Sequence, residues 1–235
     1  MLVKILATVL VLGAGAAVVV DLRRQAANPV DALIDVLRRR RWARRALTGL
    51  SVICALGALG FLTYPFWTDV YSDRLQVRLE KQLASPEIRQ NFRADEVDNG
   101  DSLTRLKIPA IGVDVVVVEG TTQSALRAGA GHYPETPLPC AEGNVSIAGH
   151  RTTYGRPFNE LDELKQGDVI ILETPVGDCT YEVSVAPFVV APSATEVVAN
   201  TPDPRLTLTT CHPEGSARER LIVQAARVTS GIEGA

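Results

Sequence analysis

In Arg205-Leu206-Thr207-Leu208-Thr209-Thr210-Cys211 an arginine opens an unbroken run of leucines and threonines that ends on a cysteine. His212-Pro213 stops it, and a polar loop leads to Arg220 and a second such run over 221–228. Both runs read as strands, because Val, Ile, Leu and Thr suit a pleated, half-buried surface. If the two pair antiparallel, the end of the first lies beside the start of the second. Cys211 and Arg220 then share one rim. The same texture begins at 103. Candidate strands cover 103–108, 113–119, 144–148, 168–173, 180–190, 205–210 and 221–228, with short helices at 122–128 and 158–164. Short strands with little helix between them predict a mainly β domain over 103–230, a closed or nearly closed antiparallel-type barrel rather than a doubly wound sheet.

Before the barrel the sequence reads differently. Residues 2–20 and 46–67 are each apolar and close to the ~20 residues that cross a bilayer as a helix. Trp42 precedes the second segment, and Tyr64, Phe66 and Trp67 close it, as suits two lipid–water interfaces. Between them, residues 21–45 hold eight arginines against Asp21, Asp31 and Asp35. Positive charge stays on the cytoplasmic side. The expected arrangement is a transmembrane helix at 1–20, a cytoplasmic Arg-rich loop at 21–45, a second transmembrane helix at 46–67, and everything later outside the cell. Read instead as a cleaved signal peptide, the first segment would leave the arginines outside, against that charge rule. Val70, Leu75, Leu79 and Leu83 recur at roughly helical spacing, so 68–102 reads as a juxtamembrane stalk helix followed by a polar linker from 85.

The whole chain carries −3, so the body after the Arg-rich block is strongly acidic. A nucleic-acid partner is therefore not expected, since such affinity comes mainly from neutralising phosphates. The lipid bilayer is the partner implied by the apolar segments.

The four cysteines separate by surroundings. Cys54 lies mid-span and serves as a small apolar residue. Cys140 and Cys179 lie in turns, in a compartment where disulfides persist; they are candidates for a bridge, and the sequence leaves paired and free states open. Cys211 remains. A nucleophilic thiol needs a base or a positive neighbour, and a donor for the oxyanion formed on attack. His150 ends another β run, Asn144-Val145-Ser146-Ile147-Ala148-Gly149, and Arg220 opens the last strand. Cys, His and Arg on one rim would make a cysteine acyl-transfer site. His132 and His212 suit structural or groove-lining roles, because neighbours on an extended chain point apart. A metal site from His132, His150, His212 and Cys211 lacks any usual ligand spacing. Asn144-Val145-Ser146 matches a glycosylation sequon but falls inside a strand.

Thr207-Leu208-Thr209-Thr210-Cys211 with Arg220 nine positions on resembles the TLxTC…R signature of sortases, and Gly149-His150-Arg151 resembles their histidine segment. Gly131-His132-Tyr133-Pro134 and Ala148-Gly149-His150-Arg151-Thr152-Thr153-Tyr154-Gly155 are most similar to the class E sortases of high-GC Gram-positive bacteria. The resemblance covers about 103–228 and implies an eight-stranded sortase-type barrel, one strand more than the sequence offers. It also implies a cysteine transpeptidase that cleaves an LPxTG/LAxTG-like sorting signal between Thr and Gly. The partners would be secreted proteins bearing that C-terminal signal and an amine of the cell wall precursor. Carried over by position, Cys211 is the nucleophile, His150 the acid and base, and Arg220 the oxyanion partner, with no metal or organic cofactor. Tyr133 and Thr210 are the implied substrate contacts, Tyr133 being tied to a preference for Ala after Leu. Cys140 and Glu214 depart from the family's usual pattern; bridged to Cys179, Cys140 could staple a loop near the groove.

Two other readings stay open on the sequence. A pilin-polymerising sortase would use a lysine acceptor, but such enzymes usually carry an Asp-Pro-aromatic lid that 85–102 does not contain. A non-catalytic, membrane-tethered peptide-binding β domain would have no need of a reactive thiol.

Overall fold

The computed structural model describes residue 34 and residues 39–228. Two compact units divide at residue 63. In the first, the main element is the N-terminal part of helix α1 (Arg41–Leu83), whose Leu50, Ile53, Leu56, Phe61 and Leu62 are all exposed. Among the described residues α1 is the one helix long and apolar enough to cross a membrane. It contains the expected 46–67 span. The expected first span, and most of the Arg-rich loop, lie outside the described residues.

The second unit begins at Tyr64. The stalk is not a separate helix, since α1 runs through to Leu83. Residues 68–83 contain no Gly or Pro to interrupt it. The expected linker is partly helical. Helix α2 (Pro86–Ala94) starts at Ser85, whose hydroxyl accepts from the Ile88 amide at 3.2 Å, with Pro86 in the first turn where its missing N–H costs nothing. It buries Ile88 and Phe92.

The strands are β1 (Ser102–Ile108), β2 (Val113–Glu119), β3 (Ala130–His132), β4 (Asn144–Gly149), β5 (Val169–Thr174), β6 (Gly177–Val183), β7 (Phe188–Val190), β8 (Arg205–His212) and β9 (Glu219–Arg227); helix α3 (Gln123–Ala128) joins β2 to β3. Eight of them run β6-β5-β1-β2-β3-β4-β8-β9, and β9 closes the ring on β6 through Tyr181↔Arg227 and Val183↔Ala225. Short β7 also pairs with β9, through Phe188↔Ile222. The sheet thus forms the closed barrel expected, with one short strand added.

Three details differ from the sequence reading. The run 180–190 is two strands, separated by a segment that contains Pro187, which cannot donate to a ladder. Strand β3 gave no signal because Ala130-Gly131-His132 has little β propensity. Gly131 is needed there, since a Cβ would stand 2.3 Å from the Gly120 carbonyl oxygen. The barrel is also not purely antiparallel: β2–β3 and β4–β8 are parallel. Helix α3 carries the chain from β2 to β3, and β5, β6 and β7 intervene between β4 and β8, so neither parallel pair is closed by a hairpin turn.

Leu106, Val117, Ile147, Leu172, Leu206, Leu208 and Val223 fill the barrel with Phe158 and Leu161. Strand alternation then fixes the outer face. With Leu206 and Leu208 inside, Thr207, Thr209 and Cys211 face out. Helix α1 docks on β2 through Gln76, whose amide accepts from Val116 N at 2.7 Å and donates to the Val116 and Ala128 carbonyls at 3.0 and 2.6 Å.

Cys140 and Cys179 are joined in a disulfide with a Cα separation of 5.7 Å. It does not staple a loop near the groove. Cys140 precedes the start of β4, whereas His150 follows its end, so the bridge belongs to the opposite end of the barrel. The sequon is buried: Asn144 donates its amide to the Val197 and Ala199 carbonyls, both at 3.0 Å.

Candidate active site

Strands β4, β8 and β9 are neighbours, and each brings one reactive side chain to the same end of the barrel. The parallel β4–β8 ladder ends at Ala148↔Thr209. One step further, Thr210 Oγ1 donates to the Gly149 carbonyl at 2.8 Å, which holds the register. The next residues are His150 on one strand and Cys211 on the other. On the far side, Cys211 pairs directly with Arg220 in the antiparallel β8–β9 ladder. Paired residues in an antiparallel ladder project to the same face. The expected rim of His150, Cys211 and Arg220 is therefore assembled from three adjacent strands. Gly149 precedes the histidine because there is no room for more: a Cβ would lie 2.6 Å from the buried Phe158 ring.

Cys211 is a free, partly exposed thiol. Arg220 has one guanidinium nitrogen occupied by the Ala217 and Glu219 carbonyls of its own loop, both at 3.0 Å. The His150 ring packs on Tyr154 with centroids 5.3 Å apart. Its Nε2 is buried and has no hydrogen-bond partner among the described residues. Burial, and secondarily the positive charge of Arg127, hold its pKa below the ordinary imidazole value, so the neutral ring is favoured.

The loop carrying Tyr154 is strained. Tyr154, Gly155 and Arg156 have φ of 53°, 73° and 46°, and the left-handed region disfavours side chains. Asp69 of α1 secures it, accepting from Gly155 N at 3.0 Å and lying 3.6 Å from the Arg156 guanidinium. Arg127 adds a cation over the Tyr154 ring, 5.7 Å from its centroid.

Other expected residues are placed as follows. Tyr133 reaches the outer face, its hydroxyl 3.1 Å from Thr209 Oγ1, two residues before Cys211. Thr210 does not share that face. It is buried, and its hydroxyl is spent on Gly149, because alternation turns it away from its neighbour Cys211. Thr209, equally buried, is the one on the Cys211 face, and counting alternate positions back from Cys211 would have found it. His132 is buried between Glu119, at 2.9 Å from Nδ1, and the Pro137 carbonyl, at 2.9 Å from Nε2. It is thus structural and does not converge with the other imidazoles; among the described residues no three His, Cys, Asp or Glu side chains gather to hold a metal. His212 contacts Arg151, not the sulfur. Tyr154, part of the motif quoted above, packs on the histidine ring, whereas nothing local in the sequence ties Arg127 to His150.

Residues 106–228, over half the chain, match the sortase domain model. The chain belongs to the sortase family. It is 30% identical to sortase SrtE1 of Streptomyces coelicolor over 77% of its own length, in keeping with the expected likeness to class E sortases, and it spans 56% of that relative. A sortase D5 transpeptidase structure from Clostridium perfringens superposes with a TM-score of 0.59 at 30% identity, covering 68% of this chain and 99% of that one. The structure of Clostridium perfringens sortase C with the C-terminal cell wall sorting motif gives 0.54 at 26% identity, covering 68% and 91%. Sortases are cysteine transpeptidases, and the thiol on the β8 rim of this one is the only free cysteine described in its barrel.

Proposed function

We propose that this sortase is a membrane-anchored transpeptidase that cuts an LPxTG/LAxTG-like sorting signal between Thr and Gly and transfers the protein to an amine of the cell wall precursor. The observation that carries this reading is the alignment of His150, Cys211 and Arg220 on adjacent strands β4, β8 and β9. The Cys211 sulfur attacks the Thr carbonyl carbon as neutral His150 takes the thiol proton. Arg220 faces the carbonyl oxygen as negative charge develops there. The C–N bond then breaks, protonated His150 gives its proton to the departing Gly amine, and a thioester remains on Cys211. The acceptor amine loses a proton to His150 and attacks the thioester carbonyl; the C–S bond breaks, and the released sulfur takes that proton back from His150. A ring held neutral by burial can accept a proton and return it, as this double transfer requires. Tyr133 supplies a phenol beside Thr209 on the Cys211 face of the barrel, where a hydrogen bond to the peptide would favour Ala after Leu.

Helix α1 serves as the anchor, with Arg41, Arg44 and Arg45 on the cytoplasmic side and the barrel outside. The test is mass measurement. The full chain, incubated with LAxTG and LPxTG peptides, should carry the acyl group on Cys211. An adduct on another residue, or none with either peptide, overturns the assignment.

A further inference from the structure

Arg151 is the residue after His150, and His212 is the residue after Cys211. Arg151 is 4% exposed, and its donors are almost fully used. One terminal nitrogen meets His212 Nδ1 at 2.9 Å. The other donates to Asp162 Oδ2 at 2.7 Å and lies 3.6 Å from Glu214 Oε1, while Nε donates to the Asn159 carbonyl at 3.3 Å. These partners come from the segment after β4, from the last residue of β8 and from the loop that follows it. Because guanidinium only donates, His212 Nδ1 must accept, which puts the His212 proton on Nε2.

The backbone ladder between β4 and β8 has already ended at Ala148↔Thr209. The Thr210–Gly149 hydrogen bond fixes the strands on the near side of the His150–Cys211 step. The Arg151–His212 contact fixes them on the far side. We infer that Arg151 and His212 form a brace that sets the distance between the imidazole of His150 and the thiol of Cys211. Both are positioning residues, neither touching the peptide. This rests on the catalytic roles given to His150 and Cys211 above.

The requirement is geometric, so the variants discriminate. In His212→Asn the side-chain oxygen stands near the place of Nδ1 and still accepts from Arg151. In His212→Phe the volume remains and the acceptor is lost. In Arg151→Lys the charge remains, but one ammonium cannot reach His212, Asp162 and the Asn159 carbonyl together. The experiment uses the full chain in detergent and two readouts: acylation by LAxTG peptide at saturating concentration, and alkylation of Cys211 by iodoacetamide, which needs no peptide. His212→Phe and Arg151→Lys should lower kcat at least tenfold with KM within twofold, while His212→Asn stays within threefold of the parent. Alkylation in His212→Phe and Arg151→Lys should fall to the rate of His150→Ala, showing that the imidazole no longer assists the thiol. Equal behaviour of His212→Asn and His212→Phe overturns the brace, as does a loss of kcat that follows the loss of folded protein in a melting curve. If the parent never acylates, the catalytic reading fails, and the alkylation series alone decides the brace.

Discussion

Cys211 and Arg220 stand directly opposite each other across the antiparallel β8–β9 pair, nine residues apart along the chain. The pairing puts a thiol and a guanidinium on one face of one rung, and the carbonyls of Ala217 and Glu219 keep the arginine's orientation. A planar fork held in this way can present its remaining N–H groups to a carbonyl oxygen from a fixed direction.

Arg220→Lys should therefore fail despite keeping the charge. A flexible ammonium does not inherit the fork geometry. Loss of one oxyanion donor costs about 10²–10³ in kcat, and a loss in that range is expected. The melting temperature should hardly change, because the guanidinium bonds only to the nearby Ala217 and Glu219 carbonyls and the backbone pairing survives the substitution. Single-turnover acylation with thermal denaturation alongside checks both.

Arg127 opposes the protonation of His150. Like charge disfavours the imidazolium, so the pKa lies lower than it would without the arginine. If neutral His150 accepts the thiol proton, kcat/KM falls as pH drops through that lowered value. Arg127→Gln removes the opposing charge and should move the acid limb to higher pH, towards the ordinary imidazole range near ~6.5. A limb that stays in place or moves down would show that His150 does not set it.

Tyr133→Phe deletes the hydroxyl beside Thr209. A net hydrogen bond is worth about 1 kcal/mol, roughly a fivefold effect. The kcat/KM ratio for LAxTG over LPxTG peptide should fall by about that factor, chiefly through the LAxTG substrate. Competition between the two peptides gives the ratio directly.

The Cys140–Cys179 bridge closes a long loop, with a sequence separation of 39. Loop-closure entropy puts its contribution at about 4 kcal/mol. Replacing both cysteines by serine should lower the melting temperature by many degrees yet leave kcat of the folded fraction unchanged, since the bridge is at the barrel end away from Cys211. The denatured, unreduced full chain should titrate two free thiols, Cys54 and Cys211.

Gly149→Ala forces a methyl group into the Phe158 ring. Overpacking of this kind costs about 1–3 kcal/mol. It also displaces the end of β4 from which His150 projects, so kcat should fall together with stability. Thermal melts and single-turnover rates on the same samples separate the two effects.

The candidate site residues were legible in the chain because short-range pattern marks them. A β run ending on Cys211, another ending before His150 and a cation opening the next run are local features. So were the apolar length of 46–67 and most strand positions, since period-two alternation and β-branched residues are properties of a segment on its own. Strand β3 and the parallel pairings were not legible. Nothing within Ala130-Gly131-His132 states that it will lie between β2 and β4, because that depends on crossovers and on a close approach to Gly120. The outward direction of Thr209, rather than Thr210, followed only once Leu206 and Leu208 were seen to fill the core. Contacts such as Arg151 with His212, Arg127 with Tyr154 and Asp69 with Gly155 span 61, 27 and 86 positions. Local propensity carries no information over such separations. The sequence decided which side chains are candidates for the site, and closure of the barrel decided which strand ends stand side by side, because strand order depends on contacts distant in the chain.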